Sequence, residues 1–261
     1  MAQLDLSAYF RRIGFDGAAK ADLPTLRALH SAHATAIPFE NLAIQMGEGV
    51  SLELDAIQDK LVRRGRGGYC FEQNSLFMAV LRETGFEVDA FEARVRLGTD
   101  ALLPRTHMLL RVKLGGADLL CDVGFGGQGL LMPVPMDGEA HGPAGRQHRV
   151  VGGGPLRTLQ FKQLVAWADL YAFEPIPRHP VDQQMGNWWT STHPSSRFVT
   201  TLTAQRVLPD GWLILRNLSF TTVRGDLAEE RILEPAEVPE VLRGSFGLDI
   251  PDGTRFKAFE P

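Results

Sequence analysis

The sequence predicts an α+β protein in which helices and strands occupy separate stretches of the chain. Apolar residues recur at helical spacing in the first third of the 261 residues, and they alternate with a period of two from about residue 87. The last third mixes strand-like runs with a short helical segment. The chain is long enough for one large domain or for two to three small ones.

Helical periodicity accounts for the first part of the chain. One helix is predicted at about 6–13, and a second begins at Asp22 and Pro24, because proline is well tolerated in the first turn of a helix. A third helix is predicted at about 54–64. A fourth, at 71–84, is apolar on most of its circumference, which is typical of a buried central helix.

Strand-like alternation, in which successive side chains point to opposite faces, dominates the rest of the chain. The predicted strands are 88–95, 106–114, 118–123, 158–162, 166–173, 198–208, 212–222 and 230–233. The Gly- and Pro-rich segment 136–154 predicts a long loop, and short helices are expected at 182–189 and 236–243. A turn at 209–211 (PDG) predicts a hairpin between the strands on either side of it.

Composition and charge exclude several classes of function. The formal net charge is −4 and no basic, aromatic-interleaved patch stands out, so nucleic acid is not expected as a partner. The N-terminus lacks the apolar core of a secretory signal, and no apolar stretch is long enough to span a bilayer. With only two cysteines, Cys70 and Cys121, no disulfide framework is implied, and a reducing compartment such as the cytoplasm is expected. The protein is expected to be a monomer or a homodimer.

The most informative stretch, residues 66–74, reads RGGYCFEQN. Its two glycines allow a sharp turn and a close approach of the backbone to a ligand. Cys70 falls at the first turn of the predicted central helix, where unpaired N–H groups and the positive end of the helix dipole favour an anion. That environment suits a nucleophilic thiolate. A structural cysteine packed at a helix start is the alternative interpretation.

The register of a predicted hairpin brings a histidine and a carboxylate to one face of a sheet. If Gly115 and Gly116 form the loop, His107 and Asp122 become diagonal neighbours, with Cβ atoms about 7 Å apart or less. A slip of one residue would place them on opposite faces. Cys121 points away from Asp122 and is interpreted as structural. Each polar residue alone would suit an ordinary sheet, but together with Cys70 they complete a Cys–His–Asp set.

Four segments of the chain resemble the arylamine N-acetyltransferase family. They occur in the family's order, and the layout of helices, strands and a mixed region fits from near residue 1 to the C-terminus. The segments are IPFENL (37–42), RGGYCFEQN (66–74), TH (106–107) and DVGFG (122–126). The chain also lacks the extra length of vertebrate members, so it is closer to the prokaryotic type.

The resemblance implies a three-part fold similar to that of papain-like and transglutaminase-like enzymes. Residues 1–86 would form a helical bundle that carries the nucleophile, and residues 87–193 an antiparallel β-barrel that carries the histidine and the aspartate. Residues 194–261 would form an α/β lid.

The resemblance also implies an activity and three catalytic roles. Cys70 would be the nucleophile that accepts the acyl group, His107 its base and Asp122 the residue that orients the base. Acetyl-CoA would be the cosubstrate and an arylamine or hydrazine the acceptor, with no tightly bound cofactor and no metal. The expected scheme is ping-pong transfer through an acetyl-cysteine, with backbone N–H groups near the nucleophile stabilising the oxyanion.

Other residues of the matching segments are candidates for substrate contacts. Phe39, Tyr69 and Phe125 are interpreted either as an apolar slot for a flat aromatic amine or as core aromatics. Gly126 and Gly127 either admit the CoA chain by a close backbone approach or simply form a turn.

Two pairs of polar residues have structural interpretations. Arg66 and Glu40 are predicted to form a buried ion pair that supports the site. His30 and His33 lie three residues apart on a predicted helix, but no further ligands accompany them, so no metal site is predicted there.

Three alternative functions are compatible with the same residues. An amide synthase that closes a macrolactam would use the same triad on another acyl thioester. A cysteine hydrolase is disfavoured because no signal or pro-segment is visible in the sequence. A binding module that retains the fold without catalysis is disfavoured because all three triad positions are filled.

Overall fold

Helices dominate the first part of the computed structural model, which describes residues 3–99, 101–143, 145–163, 165–208 and 210–259. Its first elements are α1 (Leu6–Ile13), α2 (Leu23–Ala36), a two-residue strand β1 (Phe39–Glu40), α3 (Leu42–Gln45), α4 (Leu54–Gln58) and α5 (Cys70–Glu83). Asp22 caps α2 by accepting a hydrogen bond from the Thr25 N–H at 2.9 Å. The predicted helices at 6–13 and 71–84, and the start of the second helix at Asp22, are confirmed.

The predicted helix at 54–64 changes its winding halfway. After α4 the chain forms a π-helical turn, Asp59–Arg63, in which the N–H of Arg64 donates to the carbonyl of Asp59 at 2.9 Å. The wider turn carries Lys60, whose side chain is buried against Glu72 of α5. A buried ion pair therefore coincides with the departure from regular α-helix.

Seven antiparallel strands form a sheet that curls into a nearly closed barrel. The strands are β2 (Glu87–Val95), β3 (His107–Leu114), β4 (Ala117–Cys121), β5 (Val134–Pro135), β6 (His148–Val151), β7 (Arg157–Gln163) and β8 (Ala166–Phe173). Their order is β5-β4-β3-β2-β8-β7-β6, and the two edge strands lie next to each other. The α+β class and the barrel-like sheet confirm the predicted fold class.

A second antiparallel sheet is formed by strands from the last part of the chain together with β1, which comes from the N-terminal part. Its strands β9 (Thr203–Leu208), β10 (Gly211–Arg216), β11 (Ser219–Arg224) and β12 (Leu227–Ile232) follow β1 in that order. Short helices accompany it, namely α6 (Pro180–Thr192), α7 (Arg197–Thr200), α8 (Val238–Gly244) and the 3₁₀ turns Pro235–Glu237 and Lys257–Phe259. The division of the chain at residues 86 and 193 stays a prediction.

Strand β3 lies between two hydrophobic cores, and its side chains point alternately into one and the other. Met108, Leu110 and Val112 pack into the core that contains the helices, whereas Leu109 packs inside the barrel. A third core joins the second sheet to α8. His107 shares the barrel-facing side of β3 with Leu109, so the functional side chains project from a sheet that is anchored on both faces. Within the described ranges, no helix is long and apolar enough to cross a membrane.

Several predicted elements differ from the structure. The predicted strand 212–222 is two strands, because Asn217 adopts a left-handed conformation (φ +50°) and reverses the chain between β10 and β11. The start of the predicted strand 198–208 is α7, and the predicted loop 136–154 contains β6. The short strands β1 and β5 are too brief to show any periodicity. Residues Asp210 and Gly211 of the predicted turn are described, whereas Pro209 lies outside the described residues.

Candidate active site

The loop before Cys70 is fixed by backbone contacts with the segment around β1. Gly68 donates to the Pro38 carbonyl at 3.3 Å and accepts from the Glu40 N–H at 3.0 Å. A Cβ on Gly67 would overlap the same Pro38 carbonyl, so only glycine permits this approach. Gln73 adds a hydrogen bond to the Gly68 carbonyl at 2.7 Å. The sharp turn predicted from the glycines places Cys70 at the first residue of α5.

Two ion pairs are buried beneath this loop. Arg66 Nη2 lies 3.2 Å from Glu40 Oε1, which confirms the predicted ion pair, and Lys60 Nζ donates to Glu72 Oε1 at 2.7 Å. The other oxygen of Glu72 accepts from the N–H of Tyr69 at 3.1 Å, directly before Cys70. Burial raises the pKa of Glu72 although Lys60 opposes the shift, whereas for Glu40 the charges of Lys60 and Arg66 outweigh burial and lower the pKa.

The hairpin between β3 and β4 has the predicted register. Leu114 pairs with Ala117 and Leu110 with Cys121, so His107 and Asp122 share the barrel-facing side. Their side chains meet at 2.7 Å between Nε2 and Oδ2. Cys121 faces the helical core and is buried, and burial raises the pKa of its thiol. The predicted contact between His107 and Asp122 is therefore confirmed.

Asp122 forms hydrogen bonds with three further groups. Its Oδ1 accepts from Asn74 Nδ2 at 3.0 Å and from the Gly124 N–H at 2.9 Å. Its own N–H donates to His30 Nε2 at 3.1 Å. Burial alone would raise the pKa of Asp122, but the charge and hydrogen bond of His107, together with Asn74 and Gly124, lower it. Asp122 is thus an anion with a fixed orientation.

His107 interacts with both the carboxylate of Asp122 and the side chain of Cys70. Burial alone would lower its pKa, but Asp122 and interactions with the Cys70 side chain raise the pKa of His107 to about 10. Its ring packs against Phe125 (centroids 5.1 Å apart) and Tyr171 (4.7 Å). Cys70 Sγ donates to the Thr106 carbonyl at 3.6 Å, next to His107. The raised pKa favours the protonated form of His107.

Close packing between α5 and the loop after β4 brings these groups together. A Cβ on Gly124 would lie 2.7 Å from the Cα of Cys70 and 2.8 Å from the Nδ2 of Asn74. A side chain at this position would therefore force the helix start and the loop apart. Because Gly124 lies two residues beyond Asp122, this contact joins the start of α5 at Cys70 to the loop that carries Asp122.

A cavity of about 240 Å³ opens onto Cys70 and His107. Its wall is mostly apolar and also contains polar groups. The apolar part includes Phe39, Val95, Leu97, Phe125, Trp189 and Phe198. Such a cavity, with a thiol and an imidazole in its wall, has the size and the apolar character that suit a small aromatic molecule.

The residues proposed for substrate contacts fall into two groups. Phe39 and Phe125 line the cavity, as the slot hypothesis requires. Tyr69 is fully buried, packs against Phe71 and Phe198, and donates its hydroxyl hydrogen to Asn187. The structure thus brings Phe39 and Phe125 to the cavity and keeps Tyr69 in the core.

The two glycines considered for CoA binding have protein neighbours. A Cβ on Gly126 would overlap the Gln205 amide, and a Cβ on Gly127 would lie 2.8 Å from the Trp212 ring. The N–H of Gly127 also donates to Gln205 Oε1 at 2.8 Å. These contacts explain the glycines by packing between the two sheets, and a contact with CoA stays a prediction.

Three supporting residues were not singled out from the sequence. Asn74 lies in the RGGYCFEQN segment, one helical turn after Cys70, and that spacing is the signal that could have indicated it. Tyr171 lies on β8, whose position next to β2 the sequence does not specify. The sequence pattern gives His30 no role in the site, but burial lowers its pKa to about 4, and its neutral ring accepts the Asp122 N–H. Among the described residues, no group of His, Cys, Asp and Glu side chains could hold a metal ion.

Comparisons with known proteins place the chain among relatives of similar length. A family profile described as N-acetyltransferase matches residues 22–255. The arylamine N-acetyltransferase of Escherichia coli (strain K12) is 41% identical over 256 residues, which cover 95% of this chain and 90% of the relative. A solved structure of the Mycobacterium smegmatis enzyme of that name superposes with a TM-score of 0.91 at 39% identity, covering 97% of this chain and 96% of the other. The Mycobacterium marinum enzyme in complex with CoA gives a TM-score of 0.89 at 39% identity, covering 94% and 93%.

Proposed function

The chain belongs to the arylamine N-acetyltransferase family of acyltransferases, and we propose that it acetylates arylamines and hydrazines from acetyl-CoA by a ping-pong mechanism through an acetyl-cysteine at Cys70. The observation that carries this proposal is the contact of His107 with Asp122 at 2.7 Å, together with the position of His107 and Cys70 in the wall of one cavity. The CoA complex of the Mycobacterium marinum relative supports acetyl-CoA as the donor. These relatives favour acetyl transfer over a macrolactam-forming amide synthase.

In the first half-reaction the thiolate of Cys70 attacks the carbonyl carbon of the acetyl thioester. The C–S bond to CoA then breaks, and the CoA sulfur takes the proton that the His107 imidazolium holds. Asp122 keeps the imidazole ring oriented and stabilises its charge. N–H groups in the first turn of α5 lack partners within the helix and are suited to stabilise the oxyanion of the tetrahedral intermediate.

In the second half-reaction the acceptor amine attacks the acetyl carbon on Cys70. Neutral His107 takes a proton from the attacking nitrogen, and the Cys70 thiolate leaves as the amide forms. The resting pair of thiolate and imidazolium is restored, so no proton is gained or lost over the cycle. The aromatic rings of Phe39 and Phe125 are placed to contact a flat acceptor during this step.

The proposal is tested by trapping the intermediate. Incubation with acetyl-CoA in the absence of an acceptor should add one acetyl group to the intact protein and release free CoA. Peptide mapping should locate the group on Cys70, and Cys70→Ala should abolish the adduct. Addition of an aniline-type amine should remove it, and initial rates with both substrates varied should give parallel double-reciprocal lines.

The second cysteine provides a matched control. Cys121→Ala should still form the adduct, because Cys121 faces the helical core on the other side of the sheet. Acetylation without an enzyme adduct, with intersecting lines, would refute the ping-pong scheme. An adduct that forms only with a longer acyl thioester would instead favour the amide synthase.

A further inference from the structure

Two exposed arginines supply positive charge to the wall of the active-site cavity. Arg197 and Arg216 line the cavity that also contains Cys70 and His107. The described residues of this wall include no aspartate, glutamate or lysine. The side of the cavity that the two arginines occupy therefore attracts anions and disfavours cations.

The backbone that carries both arginines is held in place from the opposite side. Arg197 begins α7, and Asn41 donates to the carbonyls of Phe198 and Thr201 at 2.8 and 2.7 Å. Arg216 ends β10, where it pairs with Thr203, whose N–H donates to the same Asn41 at 2.8 Å. The buried amide of Asn41 thus fixes the relative position of the two backbone segments. The backbone that carries the two arginine side chains is therefore preorganised.

Neither guanidinium has a side-chain hydrogen bond or an ion pair among the described residues, although most other arginines of the chain have partners. Partial burial and the positive charge of Arg197 both lower the pKa of Arg216. Like charges at close range are unfavourable unless an anion joins them. The forked donors of arginine match the two oxygens of a carboxylate.

From this juxtaposition we infer that Arg197 and Arg216 form a subsite for an oxyanion carried by a substrate, and that the preferred acceptors are arylamines or hydrazines bearing a carboxylate. The inference rests on the proposed function and narrows its acceptor class. The amine would face Cys70 and His107, the ring would contact the aromatic wall, and the carboxylate would lie against the two arginines.

The acyl donor is a second possible source of an oxyanion, since CoA carries phosphates. Its pantetheine arm is a long uncharged chain, so the part of the donor next to the sulfur of Cys70 brings no anion. A cavity of about 240 Å³ holds an aromatic amine but is too small for the nucleotide end of CoA as well. An anion next to Cys70 therefore belongs to the acceptor, and the choice of donors below tests whether a phosphate of CoA reaches the two exposed arginines instead.

The test compares two acceptors of nearly equal shape, para-aminobenzoate and para-aminobenzamide. The readout is the ratio of their kcat/KM values, because the intrinsic reactivities of the two amines are the same for every variant and cancel. Arg197→Gln and Arg216→Gln should each lower the ratio about fivefold, and the double variant about 20-fold, as expected for charge-assisted bonds at a partly exposed site. Arg197→Lys should retain more of the preference than Arg197→Gln.

Each measurement is repeated with two donors, acetyl-CoA and the phosphate-free thioester S-acetyl-N-acetylcysteamine. The ratio should fall equally with both donors. A ratio that stays unchanged in the double variant would overturn the inference. So would a rise in KM for acetyl-CoA alone, with no change for the phosphate-free donor, because the oxyanion would then be a phosphate of CoA.

Two controls separate this inference from other causes. Arg224→Gln removes an exposed cation from the same sheet outside the cavity, where Arg224 pairs with Asp210, and it should leave the ratio unchanged. Thermal unfolding midpoints of all variants should match that of the unmodified chain. If Cys70 is acetylated and both amines turn over while the ratio does not move, this inference fails and the proposed function stands. If Cys70 is never acetylated, the proposed function itself fails.

Discussion

Helix α5 meets a buried charged pair on each of two sides, and the two pairs differ in what they face. On one side Glu72 forms an ion pair with Lys60 at 2.7 Å, beneath the loop that precedes Cys70. On the other side Asn74 donates a hydrogen bond to Asp122, and Asp122 contacts His107 at 2.7 Å. All four charged residues are less than a tenth exposed. Distance and burial therefore do not distinguish the two pairs.

The cavity distinguishes them. His107 lines it together with Cys70, whereas neither Lys60 nor Glu72 reaches it. The Lys60–Glu72 pair instead fixes the backbone N–H of Tyr69, immediately before the nucleophile. Buried charge by itself is thus a weak indicator of catalysis, and a charged pair becomes a candidate for chemistry when it also contacts a nucleophile at a cavity wall.

The largest expected effect comes from removing the charge of Asp122. Asp122→Asn preserves the shape of the side chain but removes the anion that orients and stabilises the imidazolium, so the rate of Cys70 acetylation should fall about 10³- to 10⁴-fold. Stopped-flow or quenched measurement of CoA release checks this. The exposed Asp118 on β4 provides the matched control, since Asp118→Asn should keep the full rate. A variant Asp122→Asn that retains a tenth of the rate would contradict the assigned role.

The second effect should appear in stability rather than in rate. Glu72→Gln leaves the buried Lys60 ammonium without its counter-charge, and we expect a loss of about 3–5 kcal/mol in the free energy of unfolding. Denaturant midpoints measure this loss, and Glu83→Gln on the exposed face of the same helix should be nearly neutral. At temperatures well below unfolding, kcat/KM should stay within about tenfold, because Glu72 acts only on the position of the loop.

A double variant keeps this prediction testable if the single variant folds poorly. Lys60→Met combined with Glu72→Gln removes both charges, so it should be more stable than Glu72→Gln alone. If Glu72→Gln unfolds at the original midpoint but loses as much activity as Asp122→Asn, the two pairs would have the same function and the contrast would disappear.

The sequence predicted the site better than it predicted the second sheet, for a physical reason. The meeting of His107 and Asp122 follows from a short hairpin, whose register is local and is fixed by Gly115 and Gly116. The approach of Cys70 depends on long-range packing at Gly124 and was inferred from a family resemblance. Neither α7 nor the turn at Asn217 has a periodic signal.

The smallest of the three effects is the pH dependence of the charge on His107. Its pKa is raised to about 10 in the folded chain, against an ordinary value of about 6.5 in the unfolded chain. The folded state therefore keeps a proton that the unfolded state loses as the pH rises. The stabilisation is complete below about pH 6.5 and is lost as the pH rises toward 10. Asp122, whose pKa is lowered, titrates on the acid side and stays charged throughout this window.

His107→Gln removes this titration while it retains a polar side chain of similar size. Both curves are measured in the Cys70→Ala background, because in the unmodified chain a resting thiolate would already have given its proton to His107, and folding would change the number of bound protons little. In that background, between pH 7 and 9, the free energy of unfolding of the chain with His107 should fall relative to that of His107→Gln by about 1–2.5 kcal/mol, since one proton contributes at most about 1.4 kcal/mol per pH unit. Asp122 should keep the pKa of His107 raised after the thiol is removed. Parallel curves would mean that Asp122 does not hold a proton on His107, and the imidazolium of the resting pair would have to be abandoned.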